Sequence, residues 1–578
     1  MSKKTNIFIF ALSIVFALCL IPTQFSFVQI AAVKLVERLK NDDINDPFWM
    51  KQMSAFGIMG LLFIAIFDLV WFTQKGRQIF TNTIKDFRKI GVIIKENKKY
   101  LFILLGLYLL GYFTIIRANF YNIYIDDLGR AIRGSREWMN FYRYISEIGS
   151  IFVHTSKRLM DIAPLTQFIA IFFLAFASFF SICIFNKGKF SFFACLASLP
   201  IGLFPYWLSN FSYRYDSPYM ALSFVISFVP FLFFEKKVTF AITSVLSLLV
   251  MCFSYQASSG IYIMLSILCV IYKWLLEGER FKEILKKTGV CILCYGLTLF
   301  CFMKIFSVPS EDIYVSETIS IASIVPNTVG YIKTFLADFN RTPILIFSGL
   351  ILILSAFGFI KNSKQNKLLS AFVVILLIAV AVPLSFGSYI VLEKPSDAPR
   401  GMYGIGVLFS LLAVSLYHQI CGKGKIYKVI SLVCLFCYSY CFLAFSFAYG
   451  NAQAEQKDYV KFRATILLQD LAGIVEENGE PVEFIFVNDI GHANVVNNMI
   501  DVYPVMAKIV DPGLKFSGAS QFALESMNFF EVVSGPDTDY DTSLPVVFEN
   551  CYHKIQKKDN KYVITYKTPT LKVLKNKY

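Results

Sequence analysis

About thirteen apolar runs, each long enough to cross the ~30 Å hydrocarbon core of a bilayer, follow one another along this chain and constrain it to a polytopic helical membrane protein. Their centres fall near Val15, Phe63, Gly106, Leu174, Ser198, Ile226, Val245, Leu265, Leu297, Ile351, Ile375, Phe409 and Cys434. With 56% hydrophobic residues against 16% charged, the chain of 578 residues is too apolar to be soluble. The first run follows Lys3 and Lys4 but lacks a small-x-small cleavage site after Leu20, so it is expected to stay as a signal anchor.

Charge sets the expected orientation. The basic stretches Ser2 to Lys4, Lys75 to Lys99, Asn186 to Lys189, Glu235 to Lys237, Glu277 to Lys287, Lys361 to Lys367 and Cys421 to Lys428 alternate with loops that carry acids. Basic loops stay in the cytoplasm, which puts the N-terminus inside, and Asp126 and the C-terminal segment outside. The net charge of +15 divides unevenly, because residues 451–578 hold 13 basic against 17 acidic side chains. The excess therefore belongs to the membrane part, where it serves orientation and attraction to anionic headgroups, and it implies no nucleic-acid partner. Most of the 13 cysteines lie in apolar runs, and Cys291 and Cys294 form a C-x-x-C without the βαβ setting of a redox motif. Cys551 alone falls in the outer segment, which is thus not built on internal disulfides.

Three regions are expected. Residues 1–99 form a transmembrane hairpin with a surface helix at Ala32 to Lys40 and a basic segment from Arg77 to Lys99. Residues 100–450 hold the remaining spans. Residues 451–578 lose hydrophobicity and read as a small extracytoplasmic α/β domain, with a helix at Asp458 to Ile474, a strand at Val482 to Val487 and a hairpin at Tyr552 to Tyr566 turning at Lys558-Asp-Asn560.

The outer loops hold the chemistry. Asn122-Ile-Tyr-Ile-Asp126-Asp127-Leu-Gly-Arg130 places two adjacent carboxylates at the mouth of the run Leu101 to Ile116. Adjacent carboxylates repel, which raises the pKa of one unless a cation compensates, and such a pair suits proton abstraction from a hydroxyl. The alternative is that Asp127 caps a helix opening at Leu128 while Asp126 is solvated. Downstream, Trp138, Phe141, Tyr142, Tyr144 and Ile145 suit a helix floating at headgroup level, and Arg133, Arg136, Glu137, Lys157 and Arg158 read as its solvated face. Three further clusters stand at outer loop ends: Asn210-Phe-Ser-Tyr213-Arg214-Tyr215-Asp216-Ser-Pro218, Ser254-Tyr255-Gln256-Ala-Ser-Ser-Gly260, and Glu393 to Arg400. One arginine at an interface is ordinarily a headgroup anchor, but Arg214 and Arg400 on the same face as the carboxylates suit a lipid phosphate. No His or Cys cluster with metal spacing lies outside, so neither a tightly bound metal nor another cofactor is expected.

Tyr124-Ile-Asp126-Asp127-Leu-Gly-Arg130, Gly134, Trp138, Asp161-Ile-Ala-Pro164-Leu165-Thr-Gln167 and Ser212-Tyr-Arg214-Tyr-Asp216-Ser-Pro218 resemble the bacterial glucosyltransferase II family, which modifies O-antigen and related surface glycans. The family is similar to the wider GT-C superfamily of multi-span enzymes that take sugars from polyprenyl phosphate. The resemblance covers about Leu101 to Ala448, with the dense motifs in its first third. It implies inverting hexosyl transfer from an undecaprenyl-phosphate sugar to a surface glycan, at the outer face of the bacterial plasma membrane. By that resemblance Asp126 is the general base, Asp127 orients the acceptor, and either can exchange roles with the other. Arg214 and Arg400 take the donor phosphate, Asp216 positions Arg214, and Arg130, Asp161 and Gln256 contact substrate. The donor would come from a synthase on the cytoplasmic face and a flippase. Two other readings stay open. A polysaccharide polymerase or ligase would use the loop Val308 to Thr342, which carries Glu311, Asp312, Glu317, Lys333, Asp338 and Arg341 but no His. A lipid-sugar flippase would need ionisable groups at mid-membrane, whereas Asp68, Lys273 and Lys304 sit near the ends of their runs.

Overall fold

A computed structural model of the chain describes residues 3–40, 46–121, 126–306, 319–396, 398–420, 425–475, 482–515, 517–527, 533–534, 541 and 543–568. Tyr124, the acids Glu311, Asp312 and Glu317, and Asp397 lie outside the described residues. The described chain is mostly helical, with one small sheet near its C-terminus. Among the described residues eight helices are long and apolar enough to span a membrane, or up to eleven if each of three bent helix pairs is one span. Those eleven places coincide with expected runs, and the remaining two runs, near Ile226 and Phe409, fall on the shorter apolar helices Ser217–Phe233 and Gly404–Ile420. The protein is a multi-pass membrane protein.

The bent pairs are where the sequence interrupts its own spans. Ile9–Gln24 and Ser26–Lys34 meet at 84°, and Phe56–Phe72 turns by 98° into the amphipathic basic helix Gln74–Glu96. Between the two apolar arms of this hairpin, the Ser13 hydroxyl donates to the Asp68 carboxylate over 2.8 Å. The third pair, Phe192–Leu203 and Pro205–Phe211, breaks by 65°. Pro200 and Pro205 each stand at a helix start, where the missing amide costs least, and each prevents the preceding helix from continuing. That break carries the chain into the segment from Ser212 to Asp216, which is wholly buried.

The longest element is the helix Lys425–Ala472, which runs through residue 450 without a break. The fall in hydropathy expected to mark a domain boundary therefore happens part-way along one rod. Its lower half packs against Lys98–Ala118 through small residues, which let two backbones approach closely. A Cβ on Gly450 would stand 2.4 Å from the Thr114 carbonyl carbon. Close approach is also what lets the Thr114 hydroxyl donate to the Ser446 carbonyl over 3.2 Å.

The upper half of that rod is the spine of the C-terminal part. There β1 (Glu483–Phe486), β2 (Val533–Ser534), β3 (Val546–Glu549), β4 (His553–Lys558) and β5 (Lys561–Tyr566) form one sheet in the order β2-β1-β5-β4-β3. The β4–β5 hairpin turns at Asp559, whose φ of 53° is the left-handed conformation that such tight turns require. This part is tied to the membrane bundle by ion pairs and hydrogen bonds. Lys508 reaches buried Asp338 at 2.6 Å, Asp338 also accepts from Tyr206 at 2.6 Å, and the Tyr449 hydroxyl donates to the Ile509 carbonyl over 3.1 Å. Asp338 ends the helix Ile324–Asp338, so the late outer stretch expected as a loop is partly helical.

Because backbone atoms of the neighbouring helix meet the new methyl, Gly450→Ala is expected to force the two helices apart and reduce recovery of monodisperse protein on size exclusion. Gly289→Ala, where nothing lies within 4 Å, should elute as wild type. Equal recovery of both would show that the crossing tolerates a side chain.

Candidate active site

Asp127 opens the short helix Asp127–Arg133, which closes at Gly134 with φ 68°. Arg130 lies one helical turn from each carboxylate, whereas Asp126 and Asp127, as neighbours, diverge from each other. The helix begins at Asp127 rather than Leu128, so Asp126 stands at the N-cap position, and it makes no side-chain cap hydrogen bond. Asp127 is instead buried, and its Oδ2 accepts the backbone N–H of Arg214 at 3.1 Å. The two acids therefore part company. Asp126 keeps 39% of its side-chain surface open, whereas Asp127 is 0% exposed. Burial raises the pKa of both, more strongly for Asp127; for Asp126 the nearby Arg400 charge opposes the rise.

Asp216 holds this arrangement together. Its Oδ2 accepts from Arg130 Nη1 at 2.6 Å and its Oδ1 accepts from the Trp138 indole at 2.5 Å. The Arg130 guanidinium lies 4.3 Å from the Trp138 ring centre, and the Trp138 ring meets Tyr219 edge-on at 5.2 Å. The expectation that Asp216 positions Arg214 thus gives way to a pairing with Arg130. Trp138, expected at headgroup level, is buried instead, because its N–H has a carboxylate to reach inside the protein.

Arg214 has a different partner. Its Nη2 lies 2.8 Å from Asp161 Oδ2, which also accepts the Tyr121 hydroxyl at 2.8 Å, and its guanidinium stands 4.3 Å from the Tyr121 ring centre. The side chain of Arg214 is buried, yet among the described residues its Nε and Nη1 have no hydrogen-bond partner. Arg400 faces the opposite acid. It donates to the Tyr213 hydroxyl at 2.7 Å and keeps a long 3.5 Å contact with Asp126 Oδ2 while remaining 41% exposed. The structure therefore brings together Asp126, Asp127, Arg130, Asp161, Arg214, Asp216 and Arg400 from loops far apart in the chain. Gln256 joins them differently from expectation. Both ends of its amide are occupied, accepting from Arg143 Nε at 3.2 Å and donating to the Phe141 carbonyl at 2.8 Å. Arg143 was not singled out in the sequence because nothing local distinguishes it from an interfacial Arg, and Tyr255 stood out only as a neighbour of Gln256.

The C-terminal part reaches into the same place. Leu128 and Phe120 pack into its apolar core with Leu467, Phe484 and Phe522. Phe522 lies 3.2 Å from where a Cβ on Gly129 would stand, and the Arg133 guanidinium sits 4.7 Å from the Phe522 ring centre. Of the charges expected on a solvated face, Arg133 thus stacks on an aromatic ring, while Arg136 pairs with Glu147 at 3.1 Å.

Residues 111–411 match the family model described as glucosyl transferase GtrII. The chain belongs to that family. The matched segment contains all seven gathered charged residues and Gln256, and stops before the C-terminal sheet. GtrII membership makes this protein a glycosyltransferase. A Salmonella phage P22 protein, named as an uncharacterized 55.3 kDa protein in the gtrB 5′ region, is 23% identical over 440 residues, covering 72% of this chain and 87% of the phage protein. No solved structure matches the chain.

Removing one member of a buried, hydrogen-bonded ion pair leaves the other charge stranded, at a cost of about 3–5 kcal/mol. Asp216→Asn should therefore lower the melting midpoint of the purified protein clearly, whereas Arg133→Gln, exposed at the end of the helix that carries Arg130, the partner of Asp216, should shift it little. A thermal shift of the same size in both variants would contradict this ranking.

Proposed function

We propose that this GtrII enzyme moves a glucosyl group from undecaprenyl-phosphate glucose to a hydroxyl of a surface polysaccharide, at the outer face of the bacterial plasma membrane, with inversion at the anomeric carbon. Asp126 takes the proton of the acceptor hydroxyl. The acceptor oxygen bonds to the anomeric carbon, the bond from that carbon to the phosphate oxygen breaks, and the phosphate leaves with the electron pair. One observation carries the choice of base: of the two adjacent acids, Asp126 is the one left accessible and set 3.5 Å from a guanidinium, while Asp127 is enclosed on the Arg214 backbone. A base must reach its proton before its pKa matters.

Arg400, held in place by its bond to the Tyr213 hydroxyl, answers the charge that grows on the leaving phosphate. The unmatched Nε and Nη1 of Arg214 are donors for sugar oxygens, with Asp161 fixing the guanidinium. Asp127 holds the backbone of Arg214 and thereby joins the carboxylate helix to the broken span. Burial raises the Asp126 pKa, which makes its carboxylate a stronger base than a solvated aspartate once ionised.

Purified protein assayed with polyprenyl-phosphate glucose and host glycan tests this assignment. Asp126→Asn should lose about 100-fold or more in transfer while remaining folded, in the range ascribed to a general base. Wild-type rates in Asp126→Asn would eliminate the proposed base. The pH profile gives a second check. A general base works only when ionised, so the rate should fall on acidification through a midpoint above the ordinary aspartate value of 3.8. Because Arg400 pulls that pKa down, residual activity in Arg400→Gln should show a limb displaced to higher pH. A wild-type midpoint at or below 3.8 would be incompatible with Asp126 in this role.

A further inference from the structure

We propose that Arg143 and Arg400 together form an anion seat for the phosphate of the lipid-linked donor, with Arg143 its second cation. The inference rests on the donor reading above and assigns Arg143 a role in substrate binding.

Arg143 stands at the entrance to the helix Tyr144–His154, with its backbone N–H bonded to the Trp138 carbonyl at 3.1 Å. The tryptophan that rests on Asp216 therefore also sets where Arg143 begins. Its side chain is held on three sides. The guanidinium carbon lies 4.8 Å from the Tyr255 ring centre and 5.1 Å from that of Phe141, and Nε donates to Gln256 at 3.2 Å. Gln256 is itself pinned by its bond to the Phe141 carbonyl, so the amide orients the guanidinium, and among the described residues no hydrogen bond occupies its two terminal nitrogens.

Charge shows what that partner must be. Arg130 has Asp216, Arg214 has Asp161 and Arg136 has Glu147, each within 3.1 Å. Among the described residues no carboxylate pairs with Arg143. A part-buried cation without a counter-ion is costly, and the cost disappears when an anion binds. Burial, reinforced by the like charge of Arg400 and opposed in part by Asp216, holds the Arg143 pKa below its ordinary value, so the two guanidiniums oppose each other. Asp126 offsets only part of that positive charge, through its long contact with Arg400.

The walls bind the pair into one site. Tyr255 carries the Arg143 guanidinium on its ring and directs its hydroxyl to the Arg400 carbonyl at 3.4 Å. Tyr213 accepts from Arg400, and the Tyr389 ring lies 3.1 Å from where a Cβ on Gly401 would stand. Two guanidiniums set against aromatic rings favour a compact anion with several acceptor oxygens, which describes a phosphate rather than a neutral sugar. Arg400 then touches both the base and the leaving group, while Arg143 touches only the latter.

The test uses the full-length protein in detergent, with farnesyl phosphate and farnesol as probes and bound fractions read by native mass spectrometry. Wild type should prefer the phosphate over the alcohol. Arg143→Gln should lose about tenfold or more in farnesyl phosphate affinity, the usual scale of a charged hydrogen bond, while farnesol binding stays unchanged. Unchanged phosphate binding in Arg143→Gln, or an equal loss of both probes, would overturn the inference. Wild type that prefers neither probe would instead remove the donor reading beneath it. A measurement on wild type alone covers the case in which the variant fails to fold: farnesyl phosphate, but not farnesol, should protect Arg143 from modification by phenylglyoxal, and absence of protection would overturn the seat.

Discussion

Asp216 accepts hydrogen bonds from Arg130 and Trp138, and through them it joins three stretches of chain that would otherwise be independent loops. Arg130 fixes the short helix that presents Asp126 and Asp127. Trp138 fixes the turn that leads to Arg143 and the next helix. Asp216 itself stands where the broken span gives way to the helix Ser217–Ile226. A carboxylate inside a membrane protein is expensive unless paired, and the pairing requires all three stretches to be in place at once. The same bonds that stabilise Asp216 therefore also specify the geometry of the site.

The broken span makes that pairing possible. A continuous apolar helix would expose only its end to the outer face, whereas prolines at residues 200 and 205 turn the chain inside the bundle and bring Tyr213, Arg214 and Asp216 into its interior. Non-helical backbone at such depth is tolerated where protein surrounds it. Here the surroundings also divide the acids. The Arg214 backbone encloses Asp127, and the open side is left to Asp126 and Arg400.

The C-terminal part belongs to the same unit. Its apolar core takes in Leu128 of the carboxylate helix, and Phe522 lies against Gly129 and Arg133. The seven-residue helix is too short to be stable by itself and is held between two bodies, with polar bonds on the bundle side and apolar packing on the other. The region matched to the GtrII family ends before this packing partner, so part of what holds the carboxylates lies beyond the family's shared segment.

Hydrophobic run length and charge decide the broad architecture whatever the packing, because the bilayer penalises unpaired backbone and unpaired charge everywhere alike. That is why the apolar runs, the helix in 458–474, the strand near 483–486 and the hairpin turning near Asp559 were all legible in the residues. The residues that gather at the site were legible for a related reason: Asp126, Asp127, Arg130, Asp161, Arg214, Asp216 and Arg400 are charged groups placed where membrane proteins avoid charge. Their pairing was not. Asp216 lies two residues from Arg214 yet binds Arg130, Asp127 takes the backbone N–H of Arg214 from 87 residues away, and Arg143 looks like any interfacial arginine until Gln256 and Tyr255 close on it. Which guanidinium meets which carboxylate depends on distances between elements tens of residues apart, and only their packing sets those distances.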